Sequence, residues 1–250
     1  MKASIITVSF NSVNTIEDCI MSVANQSYKN IEYIIVDGGS TDGTVDIIKK
    51  HANKISFWVS EKDNGIYHAM NKGIHFATGN IIGIINSDDF YADSFVVDNI
   101  IEFITKENVD TCYGDLVYVD REDKNRTTRI WKPGKYSKTK FKKGWMPPHP
   151  TFFVKNHIYD KYGSFNLKFP VVADYELMLR LLYKYNISTA YIPKVLVKMR
   201  TGGKSRPSFF NIMSNNISCY CAWRANGLRP NIITFLFKPF SKLNQFIKRR

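Results

Sequence analysis

The sequence predicts an α/β chain: a wound, mostly parallel sheet, a smaller region after it, and a helical, basic C-terminal extension. Three observations predict this. Short apolar runs alternate with helical stripes through the first 105 residues, the rhythm of a parallel sheet covered on both faces. The run Ile81-Ile82-Gly83-Ile84-Ile85 is apolar at every position that carries a side chain, which suits a strand buried on both sides. Two strand-like runs end in the polar turns Asp37-Gly38-Gly39-Ser40 and Asn86-Ser87-Asp88-Asp89, and open α/β sheets bind ligands at the carboxyl ends of their strands.

Residues 3–8 read as the first strand and lead into Ser9-Phe10-Asn11. Asn14 and Glu17 have the spacing of a capping box, and Ile16, Cys19, Ile20 and Val23 form one helical stripe. Strand 31–36 runs into Asp37-Gly38-Gly39-Ser40-Thr41-Asp42-Gly43-Thr44. The glycines permit a tight turn and close approach to the backbone. Asp37 can accept from a base N–H or a ribose hydroxyl there, and Thr41 or Asp42 can cap a helix over 41–52. The turn lacks the Gly-x-Gly-x-x-Gly fingerprint and the acidic spacing of a calcium loop. Strand 55–60 follows, then a helix carrying Ile66, Met70, Ile74 and Ala77, the Ile81 strand, and helix 94–105 with Val97, Ile100, Ile101 and Ile104. Beyond residue 110 the pattern changes. Short strand-like pieces (116–119, 128–131, 151–154) surround a lysine-rich stretch at 132–143, and helix 174–185 and strand 187–198 complete the body. Residues 207–250 read as two helices split near Gly227 and Pro230. The expected organisation is one domain over 1–205, with halves 1–109 and 110–205, and an extension over 206–250.

Composition bounds the function classes. The chain has 250 residues, 44% of them hydrophobic, enough for a sizeable core. No apolar run reaches the roughly 18 residues that cross a bilayer, and the first residues have no signal-peptide shape. Cys19, Cys112, Cys219 and Cys221 lack zinc spacing, so a reduced, cytoplasmic chain is expected. The net charge of +13 is uneven: residues 177–250 hold 14 Lys and Arg and no acid, leaving 21 basic and 22 acidic residues in 1–176. Such a block suits an anionic lipid, a diphosphate or a nucleic acid.

Adjacent carboxylates at Asp88 and Asp89 are costly unless a positive charge neutralises them. A hard divalent cation, Mn²⁺ or Mg²⁺, carrying a phosphate is the economical partner; the structural alternative is a turn that caps the next helix. His149 lies among Pro147, Pro148 and Pro150, which restrict the backbone around it. The segment Arg200-Thr201-Gly202-Gly203-Lys204-Ser205 fails the P-loop pattern, because Lys198 stands where that pattern needs Gly. Its Gly-Gly turn with Arg200, Lys204 and Arg206 can still close over a diphosphate. His68 and His75 have no metal-partner pattern and read as structural. Asp174 opens the apolar stripe Leu177, Met178, Leu181, Leu182, so on pattern alone it also reads as a helix cap.

Four motifs in order carry a resemblance: Thr7-Val8-Ser9-Phe10-Asn11, then Val36-Asp37-Gly38-Gly39-Ser40-Thr41-Asp42-Gly43-Thr44, then Glu61 to Gly73 (EKDNGIYHAMNKG), then Asn86-Ser87-Asp88-Asp89, closed by Ala173-Asp174-Tyr175-Glu176. Over residues 3 to about 205 the chain resembles family 2 glycosyltransferases of the Rossmann-like GT-A fold, in particular bacterial enzymes of O-antigen, capsule and exopolysaccharide assembly. The resemblance implies inverting transfer of a hexose, glucose or galactose, from a UDP-sugar to a sugar on a polyprenyl diphosphate. It implies that Thr7, Val8, Ser9, Asp37, Asp63, Asn71 and Lys72 line the donor nucleotide site with Asn86, Ser87 and Asp88. Asp88 matches the last acid of the family's Asp-x-Asp metal motif, Asp89 the acid after it, and Asn86 replaces the first. Asp174 matches the catalytic base. His149, Tyr175, Glu176, Arg200 and Lys204 become candidates for the acceptor or the diphosphate.

The tail Phe235 to Arg250 mixes aromatic residues with Lys and Arg and has no acid. That composition suits an anionic membrane surface, hence a peripheral position on the inner face of the cell membrane, near a lipid-linked acceptor. Two other classes fit the sequence less well. A sugar-nucleotide nucleotidyltransferase needs a Gly- and Arg-rich phosphate loop after the first strand, which Asn11-Ser12-Val13-Asn14 does not provide. A non-catalytic membrane or nucleic-acid binder would rest on the basic C-terminal region alone, and no nucleic-acid partner is expected, because the first 176 residues are slightly acidic and carry site-like motifs.

Overall fold

The computed structural model describes residues 1–202 and 209–230. The first half runs β1 (Ala3–Ser9), α1 (Ile16–Ala24), β2 (Ile31–Asp37), α2 (Thr44–Lys50), β3 (Phe57–Ser60), α3 (Ile66–Phe76), β4 (Ile81–Asn86), β5 (Asp89–Tyr91) and α4 (Val96–Glu107). The second runs β6 (Thr111–Val119), β7 (Thr127–Trp131), α5 (Lys138–Lys142), β8 (Phe153–Lys155), α6 (Asn156–Tyr162), α7 (Ala173–Met178), β9 (Thr189–Arg200) and α8 (Phe209–Ala225). Single 3₁₀ turns cover Ala52–Lys54 and His149–Thr151, and α7 continues as a wider π-type helix over Leu179–Lys184.

The nine strands among the described residues join one sheet in the order β3-β2-β1-β4-β8-β6-β9-β5, with β7 paired to β6. The pairs β1–β2, β1–β4, β2–β3 and β6–β9 are parallel; the four pairs involving β5, β7 and β8 are antiparallel. Strand alternation explains the continuous apolar runs. Ile5, Ile35, Ile81 and Ile85 face a core shared with Cys19 and Ile20 of α1 and Val97 and Ile100 of α4. Ile6, Ile34, Ile82 and Ile84 face the other core, with Met70 and Ile74 of α3 and Tyr175, Leu177 and Trp223 of α7 and α8. Each large side chain fully buried this way is worth roughly 1.5–3 kcal/mol, which fixes the register. Gly83 lets β8 cross close by: a Cβ there would lie 2.1 Å from Phe153 Cε1.

Several expected details shift. The capping box does not form: Thr15 is the N-cap of α1 without a side-chain bond, and Glu17 instead pairs with Lys50 and His51, both at 2.8 Å. Asp42 does hold the start of α2, taking the Thr44 amide at 3.0 Å. β5, α5 and α6 were not expected, and β6 begins five residues earlier than its apolar piece. α8 ends before Gly227, whose φ is +71°. A second helix beyond Pro230, the basic tail and Lys204 lie outside the described residues.

The chain winds from β1 out to β3 and returns to β4 on the other side of β1. The crevice between β1 and β4 is therefore a switch point, where open sheets bind ligands.

Candidate active site

The carboxyl ends of β1, β2 and β4 converge at this crevice. The Ser12 and Ser87 hydroxyls meet across it at 2.8 Å. Asp37, fully buried, is enclosed by its own loop and by the ends of β1 and β3. Its Oδ1 accepts from the hydroxyls of Ser9 (2.8 Å) and Ser40 (2.6 Å), and its Oδ2 from the amides of Gly39 and Ser40 and the Ser60 hydroxyl (3.1, 2.8 and 2.7 Å). Burial raises its pKa, but the Ser40, Ser60 and Ser9 donors outweigh that and hold it below the usual carboxylate range. Asp37 thus shapes the turn rather than offering an open acceptor.

Thr7 and Val8 also differ from expectation. Thr7 is fully buried with its hydroxyl on Tyr33 Oη at 3.0 Å, and Val8 is a core residue. Strand alternation turns both side chains into the two cores. What borders the open turn is Phe10, exposed at 48%, and half-buried Asp63. They flank Gly38: a Cβ there would meet Asp63 Oδ2 at 2.6 Å and Phe10 Cδ2 at 3.4 Å. The slot between a ring and a carboxylate exists because residue 38 has no side chain. Asn71 ties the 165 loop to α3, exchanging bonds with the Phe165 amide and carbonyl at 2.9 Å each, and Lys72 pairs with Glu61 at 2.6 Å.

At the end of β4, Asp89 is fully buried and half-buried Asp88 lies beside it. Burial first, then the Asp88 charge, push the Asp89 carboxyl well above its ordinary range, with Asn86 and Arg200 opposing. Asp89 Oδ1 and Asn86 Oδ1 are both buried without a hydrogen-bond partner among the described residues. Two orphaned oxygens beside a second carboxylate form a hard oxygen donor set, which fits a divalent cation that keeps water or phosphate ligands. Arg200 stands behind this set rather than over it. Its side chain is 5% exposed; it donates to the Asp88 carbonyl at 2.9 Å and to the Asp18 carboxylate. Register makes this so, because Asp89 pairs with Met199 across β5 and β9. Arg200 is thus not a mobile diphosphate clamp.

His149 connects this group to Asp174. Its Nε2 lies 3.3 Å from Asn86 Nδ2, so Nε2 accepts and the proton sits on Nδ1, which faces Asp174 Oδ2 at 3.7 Å. Burial holds the imidazole below its ordinary pKa, against the pull of Asp174 and Asp88. Asp174 lies in the first turn of α7 with its side chain 19% exposed, and the Tyr67 hydroxyl donates to its Oδ1 at 3.0 Å. Tyr67 was not among the expected site residues; only its place in the third motif pointed to it.

Tyr175 and Glu176 turn away from the cleft. Both are 2% exposed. Tyr175 Oη accepts from Trp223 Nε1 at 2.8 Å, and Glu176 takes the Arg180 guanidinium at 3.0 and 3.1 Å and Asn226 Nδ2 at 2.9 Å. Arg180 in turn donates to the carbonyls of Tyr162, Gly163 and Ser164. These residues bind α8 and the 163–172 loop to α7; neither is open to an acceptor.

The family model for glycosyl transferase family 2 matches residues 4–162. A glycosyltransferase of Mycobacterium tuberculosis is 33% identical over 184 residues, 71% of this chain and 67% of that one. The Escherichia coli UDP-Glc:alpha-D-GlcNAc-diphosphoundecaprenol beta-1,3-glucosyltransferase WfaP is 32% identical over 186 residues, 72% of this chain and 70% of its own. S. aureus TarS superposes with a TM-score of 0.68 at 17% identity over 100% of this chain, which spans 46% of TarS; that protein has also been solved with UDP. A mannosyltransferase from Pyrobaculum calidifontis, solved with GDP-Man and Mn²⁺, gives a TM-score of 0.66 at 15% identity over 97% of this chain and 70% of that one. The wound sheet is the GT-A fold of these enzymes, and the chain belongs to glycosyl transferase family 2.

Proposed function

We propose that the chain moves a hexose from a UDP-sugar, glucose or galactose, to a sugar carried on a polyprenyl diphosphate, with inversion to a β-linkage. One observation carries the reading: His149 lies between Asn86, whose Nδ2 it meets at 3.3 Å, and Asp174, 3.7 Å from its Nδ1, so the orphaned oxygens of Asn86 and Asp89 and a candidate base share one cleft. The E. coli relative, named for this chemistry, supports the donor and acceptor classes.

In this reading the uracil lies in the slot between Phe10 and Asp63 over Gly38. Asp88 and Asp89, with Asn86, would hold Mn²⁺ or Mg²⁺, which when bound stabilises the departing diphosphate as a Lewis acid. The acceptor hydroxyl oxygen attacks the anomeric carbon from the face opposite the diphosphate. The bond from that carbon to the diphosphate oxygen breaks, its electron pair leaves with UDP, and the hydroxyl proton passes to Asp174. General-base help of this kind contributes about 10²–10⁴-fold. Tyr67 holds Asp174 Oδ1, which leaves Oδ2 for the proton. A neutral His149 beside it avoids a competing fixed cation.

No described helix is long and apolar enough to cross a membrane. The basic tail, in this reading, brings the enzyme to the inner face of the cell membrane, where such an acceptor is anchored. The test is calorimetric titration with UDP, GDP and dTDP, with and without Mn²⁺. Metal-dependent UDP binding that disappears in an Asp88→Ala/Asp89→Ala variant is expected. Equal binding of all three nucleotides, or none, would overturn the donor assignment.

A further inference from the structure

Asp115 is a buried carboxylate that neither the core nor the proposed chemistry uses. It lies on β6 at 4% exposure. Its one hydrogen-bond donor among the described residues is the Tyr191 hydroxyl, 2.6 Å from Oδ1. Burial raises its pKa, against the Tyr191 bond and the charge of Lys132. A carboxylate kept in a sheet with one donor is expensive unless a ligand completes it.

The sheet deforms around this residue. β6 and β9 run parallel, yet the register slips on both sides of Asp115: Gly114 faces Ile192, Asp115 faces Val195, and Leu116 faces Val197. The extra residues, Pro193, Lys194 and Leu196, are all on β9. Bulges of this kind re-aim side chains and cluster beside active sites. Gly114 makes the deformation possible, since a Cβ there would lie 2.5 Å from Leu196 Cγ and 2.9 Å from the Lys194 carbonyl oxygen.

An aromatic wall runs outward from Tyr191, the ring that bonds this carboxylate. Tyr113 lies 5.7 Å from Tyr191 and 5.9 Å from Trp145, centroid to centroid. Tyr191 and Trp145 are half-buried, and Trp145 is fixed by its Nε1 bond to the Pro133 carbonyl at 2.9 Å. This wall joins the site already described. Thr151, in the turn that carries His149, donates to the Gly114 carbonyl at 3.1 Å. Phe141 links Trp145 (5.5 Å) to Tyr175 (6.1 Å), the neighbour of Asp174.

We propose that Asp115, Tyr191 and Trp145 form an acceptor-saccharide subsite, in which the Asp115 carboxylate takes hydroxyl hydrogen bonds from a pyranose whose C–H face lies on the rings. It rests on the reading of the chain as a transferase to a glycan acceptor. A few polar groups in a largely aromatic wall are the usual make-up of a small-molecule site. Tyr and Trp offer an apolar face and a polar tip to such a ligand. A site built to bond a hydroxyl strongly rejects analogues that lack it, so Asp115 sets specificity and is not catalytic.

The test uses the full chain as wild type, Asp115→Asn and Tyr191→Phe. Initial rates are measured with UDP-glucose or UDP-galactose and an α-N-acetylglucosaminyl diphospholipid, and saturation-transfer NMR with methyl α-N-acetylglucosaminide in the presence of UDP and Mn²⁺. Asp115→Asn should raise the acceptor KM at least about tenfold, leave the donor KM and the melting temperature unchanged, and abolish the saccharide signal; Tyr191→Phe should do so more weakly. An unchanged acceptor KM and signal would overturn the subsite. A parallel loss of donor and acceptor binding with a lowered melting temperature would assign Asp115 to the fold instead. Should the wild type transfer no hexose, the proposed function fails and the NMR signal alone decides: present in wild type and lost in Asp115→Asn upholds a saccharide site, absent in wild type refutes it.

Discussion

The Tyr67 hydroxyl donates to Asp174 Oδ1 at 3.0 Å, joining the first turn of α3 to the first turn of α7 across 107 positions of sequence. The same hydroxyl lies 3.3 Å from the Val171 carbonyl, the longer branch of a three-centre bond whose single proton goes mainly to the carboxylate. Tyr67→Phe should therefore lower the transfer rate by about tenfold, the worth of one hydrogen bond to a charged group. UDP affinity should stay as in wild type. Paired rate and titration measurements check this; equal losses in both would mean that Tyr67 supports the fold at large.

The donor set predicts a second split. Asp89 is buried beside Asp88 with an orphaned oxygen, so without metal the second negative charge is a burden to the folded state. Asp89→Asn should melt no lower than wild type in EDTA, and should lose the rise in melting temperature that Mn²⁺ gives wild type. A differential scan in both conditions reads this directly, and an unchanged Mn²⁺ shift would remove Asp89 from the metal site.

Away from the cleft, Glu32 predicts how the fold responds to acid. Burial pushes its carboxyl up, but the Lys2 ammonium and the Ser4 and Thr78 donors prevail and hold it at about 2, against an ordinary 4.5. A lowered folded pKa contributes stability that is present above the ordinary value and is lost as pH falls toward the folded one. Wild type should thus lose up to about 3 kcal/mol between pH 5 and pH 2 from this group. Glu32→Gln should be less stable than wild type at pH 7 by a similar amount and equal to it near pH 2, as measured by urea unfolding across that range.

Glu176→Gln should destabilise by about 3 kcal/mol, because it leaves the Arg180 charge without its carboxylate in a largely buried site. Urea unfolding measures the loss. Acceptor KM in the folded fraction should not rise, contrary to what direct contact with an acceptor would give.

The four-stranded first half of the sheet was legible because strands buried on both faces leave continuous apolar runs, as in Ile81 to Ile85, and its helices leave stripes such as Val97, Ile100 and Ile104. β5 was not, because three residues carry no periodicity and exist as a strand only through pairing with β9, more than 100 positions on. The site residues Asn86, Asp88, His149 and Asp174 were legible as types in motifs, and the structure brings them into one cleft. Their neighbours were harder. Asp174 and Glu176 are two positions apart on a helix, hence about 200° apart around it; one faces the cleft and the other Arg180 and α8. The motif that contains Thr7 and Val8 hides strand alternation, which sends both side chains into the cores. Phe10 and Tyr67 lie inside the first and third motifs, but only exposure and distances single them out.

In the proposed mechanism Asp174 takes the acceptor proton in a cleft whose donor half works independently of it. Transfer from a UDP-hexose, measured alongside UDP binding in Mn²⁺ for Asp174→Asn, tests it most directly. Transfer should fall by at least about 10²-fold with UDP affinity within a factor of about two of wild type, since among the described residues no donor-site residue touches Asp174 except through His149. Full transfer by Asp174→Asn would contradict it.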